Sequence, residues 1–201
     1  MHGVQLMASD KRDVPTSYYG PTSGVGLAFT HADVLYGPAA RIGVVGLGTG
    51  TLACYHKPGE HWQFFEIDPA IVTLSKTSRT FTFLPDCAPD AQINLGDARL
   101  TLKEKTPPAS LDLLAIDAFS SDAIPLHLLT REAFDVYGRA LQPDGLLLVH
   151  ISNRFIDLEP VLRALVSASD WHAAVRVDDP GDADLALART GSIWVAMARN
   201  Q

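Results

Sequence analysis

Residues 41–68, RIGVVGLGTGTLACYHKPGEHWQFFEID, limit the architectures open to this chain more than any other stretch. They pass from an apolar run through Gly46, Gly48 and Gly50 into a helical stretch closed by Pro58-Gly59, then into a second apolar run ending on Glu66 and Asp68. Short apolar runs rich in branched and aromatic residues read as strands buried on both faces. A strand, a glycine turn, a helix and a further strand form a crossover unit, which lays its two strands parallel.

The alternation continues down the chain. Residues 42–47, 61–67, 91–96, 111–118 and 145–152 predict five strands, with helical stretches between them opened or stopped by Pro58, Pro69, Pro107, Pro108 and Pro143. Beyond the fifth strand, Leu158, Val161, Leu162, Leu165 and Val166 fall at helical spacing, and residues 171–177 and 192–198 add two strands. The prediction is an α/β fold: a Rossmann-like, doubly wound, mainly parallel seven-stranded sheet with helices on both faces. Residues 1–40 are expected to form a short N-terminal extension, with a strand or two and a helix across GVGLAFTHADVLYG. Residues 41–201 would then be the Rossmann-like nucleoside-binding domain. The Asp-rich connection over 178–191 reads as a solvated hairpin loop or a lid.

A chain of 201 residues suits one such domain. No stretch approaches the ~20 unbroken apolar residues of a membrane helix, and the first residues lack a signal-peptide pattern. A cytoplasmic setting, with no membrane for this chain alone, is therefore expected. Sixteen basic residues scattered among twenty-three acidic ones argue against nucleic acid as a partner and are compatible with a small cationic ligand. Cys54 and Cys87 form no metal or redox motif and are expected to be unpaired thiols. The seven histidines show neither HxH nor HExxH spacing, so no metal is expected.

At the glycine turn the backbone can approach a ligand closely. A nicotinamide fingerprint would want a small residue where Thr51 stands, and Gly-Lys-Ser/Thr is absent, so neither a dinucleotide nor a triphosphate site fits. Glu66, at the end of the second strand, is placed to accept hydrogen bonds from both ribose hydroxyls. Asp97, in GDA after the third strand, is either an adenine contact or simply the N-cap of the following helix. Asp117 ends the fourth strand, which flanks the switch point together with the first, so it should face the reactive end of a nucleoside lying over the glycines. Trp62, Phe64 and Phe65 read as sheet core, His150 as a satisfied buried histidine, and Tyr18-Tyr19 as either a cap on the sheet or part of a pocket.

GLGTGTLA, FEIDP, GDAR, IDAFSSDAIPLHLLTREAF and HISNR, with HGVQ and PTSYYGPTSGVG near the start, together resemble the spermidine synthase family of polyamine aminopropyltransferases, in particular a divergent bacterial branch. The wider pattern is similar to the class I S-adenosylmethionine-dependent methyltransferases. The resemblance implies a transferase moving an aminopropyl group from decarboxylated S-adenosylmethionine to a diamine such as putrescine. It implies that Asp117 takes a proton from the attacking amine and that Asp122 lies near the polyamine. Gly46, Gly48 and Gly50 would cradle the nucleoside, Gln5 and Glu66 hold its ribose, and Asp97 and Ala98 its adenine, while Tyr18 or Tyr19 walls the amine channel. It also implies a homodimer. Three departures stand out. Thr49 replaces the family's acid for the donor's free amine, Ala118 and Phe119 separate Asp117 from SSD, and the family's N-terminal β domain is largely missing, so the amine pocket is open or completed by another subunit. A methyltransferase using intact S-adenosylmethionine suits Thr49 better, and a non-catalytic nucleoside-binding domain is the third reading.

Overall fold

In a computed structural model, which describes residues 3–118, 125–153 and 156–199, the apolar runs become seven strands. These are β1 (Arg41–Val45), β2 (His61–Glu66), β3 (Gln92–Leu95), β4 (Leu111–Ile116), β5 (Leu141–His150), β6 (His172–Asp178) and β7 (Ser192–Ala198). They form one sheet in the order β3-β2-β1-β4-β5-β7-β6. Every pairing from β3 through β5 is parallel, and β7 runs antiparallel to both β5 and β6. The expected mainly parallel seven-stranded sheet, with helices on both faces, is what the chain forms.

Strand alternation divides the core between the two faces. Ile42, Val44, Phe64, Leu113, Ala115 and Leu148 pack on one side with Val25 and Phe29, residues of α1 (Gly24–Thr30). Val45, Phe65, Leu114, Ile116, Leu147 and Val149 pack on the other. There they meet Leu102 of α5 (Ala98–Lys105), Phe134 and Tyr137 of α6 (Arg131–Ala140) and Leu162 of α7 (Glu159–Ser167). Trp62, Phe64 and Phe65 are therefore sheet core, as their alternation predicts. The remaining helices are short: α2 (Ala32–Tyr36), α3 (Pro69–Val72, continued by a π turn), α4 (Phe83–Cys87) and α8 (Asp182–Leu185).

Four features depart from the sequence reading. The helix expected after the glycine turn is only a 3₁₀ segment, Thr51–Tyr55, entered through Gly50 in a left-handed conformation. Among the described residues of the N-terminal extension no strand forms, and Ser17 makes an isolated bridge to Arg189 instead. Helix α4 has no counterpart in the prediction. It packs against the 3₁₀ segment and brings the Cα atoms of Cys54 and Cys87 to 4.8 Å, where the two residues form a disulfide. The expectation of two unpaired thiols is thus corrected: 33 residues of sequence hide a pairing that only helix docking creates. Closing a loop of that length stabilises a fold by about 3–4 kcal/mol in the chain-entropy view. No helix among the described residues is long and apolar enough to cross a membrane.

The connection over 178–191 joins the antiparallel β6 and β7 as a largely exposed hairpin loop, lines no part of the cavity described below, and is tied down at its far end. The Ser17 amide donates to Ala188 O (2.7 Å), Thr190 N donates to Ser17 O (2.9 Å), and Arg189 Nε donates to Pro15 O (3.2 Å). Arg189 is itself held by Asp184 at 2.7 Å. This clamp fixes the segment that carries Tyr18 and Tyr19.

Candidate active site

Backbone bonds extend the ladder past the named strands and lock the carboxyl edge of the sheet. Gly46 N donates to Phe65 O (2.8 Å), Gly96 N to Glu66 O (2.8 Å) and Asp117 N to Val45 O (2.9 Å). Gly46 takes φ +96°, and a Cβ there would lie 2.5 Å from the Asp117 carbonyl oxygen, so only glycine permits the two strand ends to approach so closely. Above this edge opens a cavity of about 300 Å³ whose wall includes Gly46, Gly48, Glu66, Asp97, Ala98 and Asp117. The chain thus brings together Gly46, Gly48 and the three acids singled out at its strand ends, whereas Gly50 lies off the cavity wall against α4, where a Cβ would meet Leu84 at 3.3 Å.

Glu66 is 8% exposed and held from three directions by main-chain donors. Its Oε1 accepts from Ile67 N (2.8 Å) and Asp68 N (2.9 Å), and its Oε2 from Leu47 N (2.9 Å). A carboxylate offers roughly four acceptor positions, so the one left open lies on Oε2. Asp97 serves two partners: Oδ1 accepts from Leu100 N at 2.9 Å as the N-cap of α5, and Oδ2 lies 2.9 Å from His127 Nε2. His127 belongs to a 3₁₀ turn (Leu126–Leu128), is exposed and also lines the cavity. Nothing in its sequence context singled it out.

Asp117 is also 8% exposed, but its partners are side chains. Tyr19 Oη donates to Oδ2 at 2.5 Å, and His150 Nδ1 lies 2.8 Å from Oδ1. The Tyr18 and Tyr19 hydroxyl oxygens are 3.1 Å apart. Burial, reinforced by the negative charge of Asp117, pushes both phenols well above their ordinary pKa, so each remains a neutral hydroxyl. Tyr19 lines the cavity. Tyr18 instead stacks on the His150 ring, 4.3 Å between centroids.

Other predicted site residues lie apart. Gln5 is buried in a reciprocal pair with Thr82: its Nε2 donates to Thr82 Oγ1 and its Oε1 accepts from Thr82 N, both at 2.9 Å. It braces α4 and does not line the cavity. Thr49 is buried, with its Oγ1 2.8 Å from Thr51 Oγ1, and lies beneath Gly3. Asp122 falls outside the described residues. Among the described residues the grouping with metal-ligand atoms close together is Asp13 with Cys54 and Cys87, all within 4.8 Å, and both of its sulfurs are in the disulfide.

No family model matches the chain. Over 126 residues it is 31% identical to a polyamine aminopropyltransferase from Vibrio vulnificus, covering 60% of this chain and 41% of that one. Its fold is similar to that of a probable spermidine synthase from Corynebacterium glutamicum (TM-score 0.66, 24% identity, 88% of this chain and 62% of that one). It is similar also to human methyltransferase-like protein 13 in complex with SAH (TM-score 0.65, 18% identity, 88% and 80%). The chain spans about two fifths of the aminopropyltransferase and three fifths of the Corynebacterium protein. By these likenesses it has the fold that spermidine synthases and methyltransferases share.

Proposed function

We propose that this chain catalyses aminopropyl transfer of the spermidine synthase type, from decarboxylated S-adenosylmethionine to a small diamine such as putrescine. The observation that carries the reading is the placement of Asp117. A buried carboxylate stands against the glycine turn and opens onto the same cavity as Glu66. The sequence match to an aminopropyltransferase supports the same reading.

The residues fit a nucleoside donor. Gly46 and Gly48, both at positive φ, form a floor without side chains, the open Oε2 position of Glu66 suits a ribose hydroxyl, and Asp97 Oδ2 suits an exocyclic amine once His127 gives way. The sulfonium supplies an activated carbon. What the protein must add is an unprotonated amine in line with that carbon. An alkylammonium has a pKa near ~10, so it cannot attack until it loses a proton. A carboxylate both attracts the cation and accepts that proton. Asp117 does this in the proposed reaction: the amine nitrogen bonds to carbon as the carbon–sulfur bond breaks, and the proton passes to the carboxylate. Asp122 is proposed as the second acid for the distal ammonium.

One observation favours a second reading. Thr49 stands where the family has an acid for the donor's free amine, and it is turned away from the cavity towards Thr51. Methyl transfer from intact S-adenosylmethionine needs no acid there. Calorimetry with each donor, followed by mass spectrometry with putrescine present, separates the readings. Spermidine formed only from the decarboxylated donor supports aminopropyl transfer, and a product heavier by one methyl supports the alternative. Binding without product rejects both and leaves a nucleoside-binding domain.

A further inference from the structure

His150 ends β5 with 2% of its surface exposed, and it stands outside the cavity wall, behind Asp117. Its place follows from register. Ala115 pairs with Leu148 and Ile116 with Val149, so the next step along β4 and β5 sets Asp117 beside His150 on the face occupied by Ala115 and Leu148. On its other side β7 pairs Trp194 with His150, and the two rings stack at 4.7 Å and 18°. Tyr18 stacks on the imidazole at 4.3 Å and 29°. Two stacking partners take up the two ring faces and leave the imidazole little freedom to tilt.

One polarity satisfies each of these hydrogen bonds. Ile193 N can only donate, and it donates to Ser152 Oγ at 2.7 Å. Ser152 Oγ lies 2.9 Å from His150 Nε2, and its own proton is free to go there. Asp117 Oδ1, which as a carboxylate only accepts, calls for a proton on Nδ1, and with Ser152 as donor Nε2 is left as the acceptor. Tyr19 supplies the proton to Oδ2. A carboxylate pinned through both oxygens cannot rotate about its Cβ–Cγ bond without losing both partners, so its remaining lone pairs hold a fixed direction towards the cavity.

From this geometry we infer that His150 is a positioning residue for Asp117, acting as a neutral Nδ1–H donor whose tautomer Ser152 sets from behind. The inference rests on the reading of Asp117 as the base for the attacking amine. His150 touches neither substrate; it acts by aiming the group that does.

Two measurements test it. In nitrogen-15 spectra of the full chain, His150 should show a protonated Nδ1 and an unprotonated Nε2, and Asp117→Asn should shift the Nδ1–H resonance strongly. An unprotonated Nδ1 overturns the inference. The spectrum is read whether or not the chain turns over, so its failure is distinct from failure of the proposed reaction. In turnover assays, His150→Phe keeps a stacking ring but removes the donor; it should lower kcat by roughly 10–100-fold, as misplacement of a reacting group does, with donor affinity unchanged. His150→Gln, whose amide can donate to Asp117 and accept from Ser152, should restore most of the loss. Ser152→Ala, a smaller change that leaves the strand intact, should lower kcat several-fold by releasing the tautomer. Full kcat in both His150→Phe and Ser152→Ala, or no rescue by glutamine in a folded variant, overturns the positioning role.

Discussion

Glu66 and Asp117 end adjacent halves of one sheet, are equally buried and open onto one cavity, yet they are held in opposite ways. Glu66 is gripped by backbone amides of the two residues that follow it and by Leu47 in the glycine turn. Asp117 is gripped by two side chains, one 98 residues away and the other 33. A main-chain grip follows once the β1 turn and β2 have formed. A side-chain grip needs the N-terminal segment, β5 and β7 to be docked. The first arrangement suits a group that binds the same way in every state; the second suits a group whose partners must answer to its protonation.

The sharpest way to break this contrast is to remove the charge at Asp117. Asp117→Asn should leave donor affinity within a few-fold while cutting turnover by roughly 10²–10⁴, the range for losing a general base. Isothermal titration and product formation on the same sample measure the two effects. Unchanged turnover would take Asp117 out of the chemistry.

Glu66→Gln should show the reverse division. An amide has one acceptor oxygen, so its NH₂ must face either Leu47 N–H or the pair from Ile67 and Asp68, setting donor against donor. Leaving a buried donor unpaired costs about 1–3 kcal/mol. Donor affinity should fall by about 10–100-fold, and the saturated rate should change far less. An unaltered affinity would show that the carboxylate serves only the turn.

This division also accounts for what could be read from the sequence. Gly46, Gly48, Glu66 and Asp97 were legible as positions at the cavity because each is fixed by the strand and turn on which it sits, while Gly50, read the same way, lies against α4. Asp117 was legible as a position, through the order of strands around the switch point, but its partners were not. Gln5 was expected at the ribose and is bound to Thr82, a residue 77 positions away for which nothing local prepares. The Cys54–Cys87 bond and α4 escaped for the same reason. His150 carried a usable signal, since it ends the strand beside β4 and shares its alternation phase with Asp117 once the register is known.

Tyr19→Phe probes the side-chain grip with a smaller effect. It removes one of two donors on Asp117 and keeps the ring, so turnover should fall by about tenfold or somewhat more, the lower end of the worth of one hydrogen bond to a charged group. It should also change the alkaline behaviour. A phenol whose pKa is raised on folding contributes stability that is complete below the unfolded value, near ~10, and is lost as pH rises through the folded value. The wild-type thermal midpoint should therefore hold up to about pH 10 and fall above it, and Tyr19→Phe should fall less steeply. Equal slopes in the two proteins would show that Tyr19 adds nothing to the alkaline loss, leaving it to Tyr18, Tyr55 and Tyr137, whose pKa values burial also raises.

The smallest effect belongs to His127, at the far end of the cavity. Its Nε2 occupies Asp97 Oδ2, and the other oxygen of Asp97 is committed to the cap of α5. An adenine amine that bonds to Asp97 must therefore take Oδ2 from His127. Because that pair is partly solvent-exposed, giving it up costs only about 0.2–1 kcal/mol. His127→Ala removes the competitor without touching the cap, so donor affinity should rise by up to about fivefold with kcat unchanged. A weakened affinity would instead mean that His127 helps to hold the base, and an unchanged one that adenine leaves Asp97 to its structural role. The second result would move the nucleoside's recognition onto Glu66 and the glycine floor, and would make the main-chain grip the main determinant of donor binding on that side of the sheet.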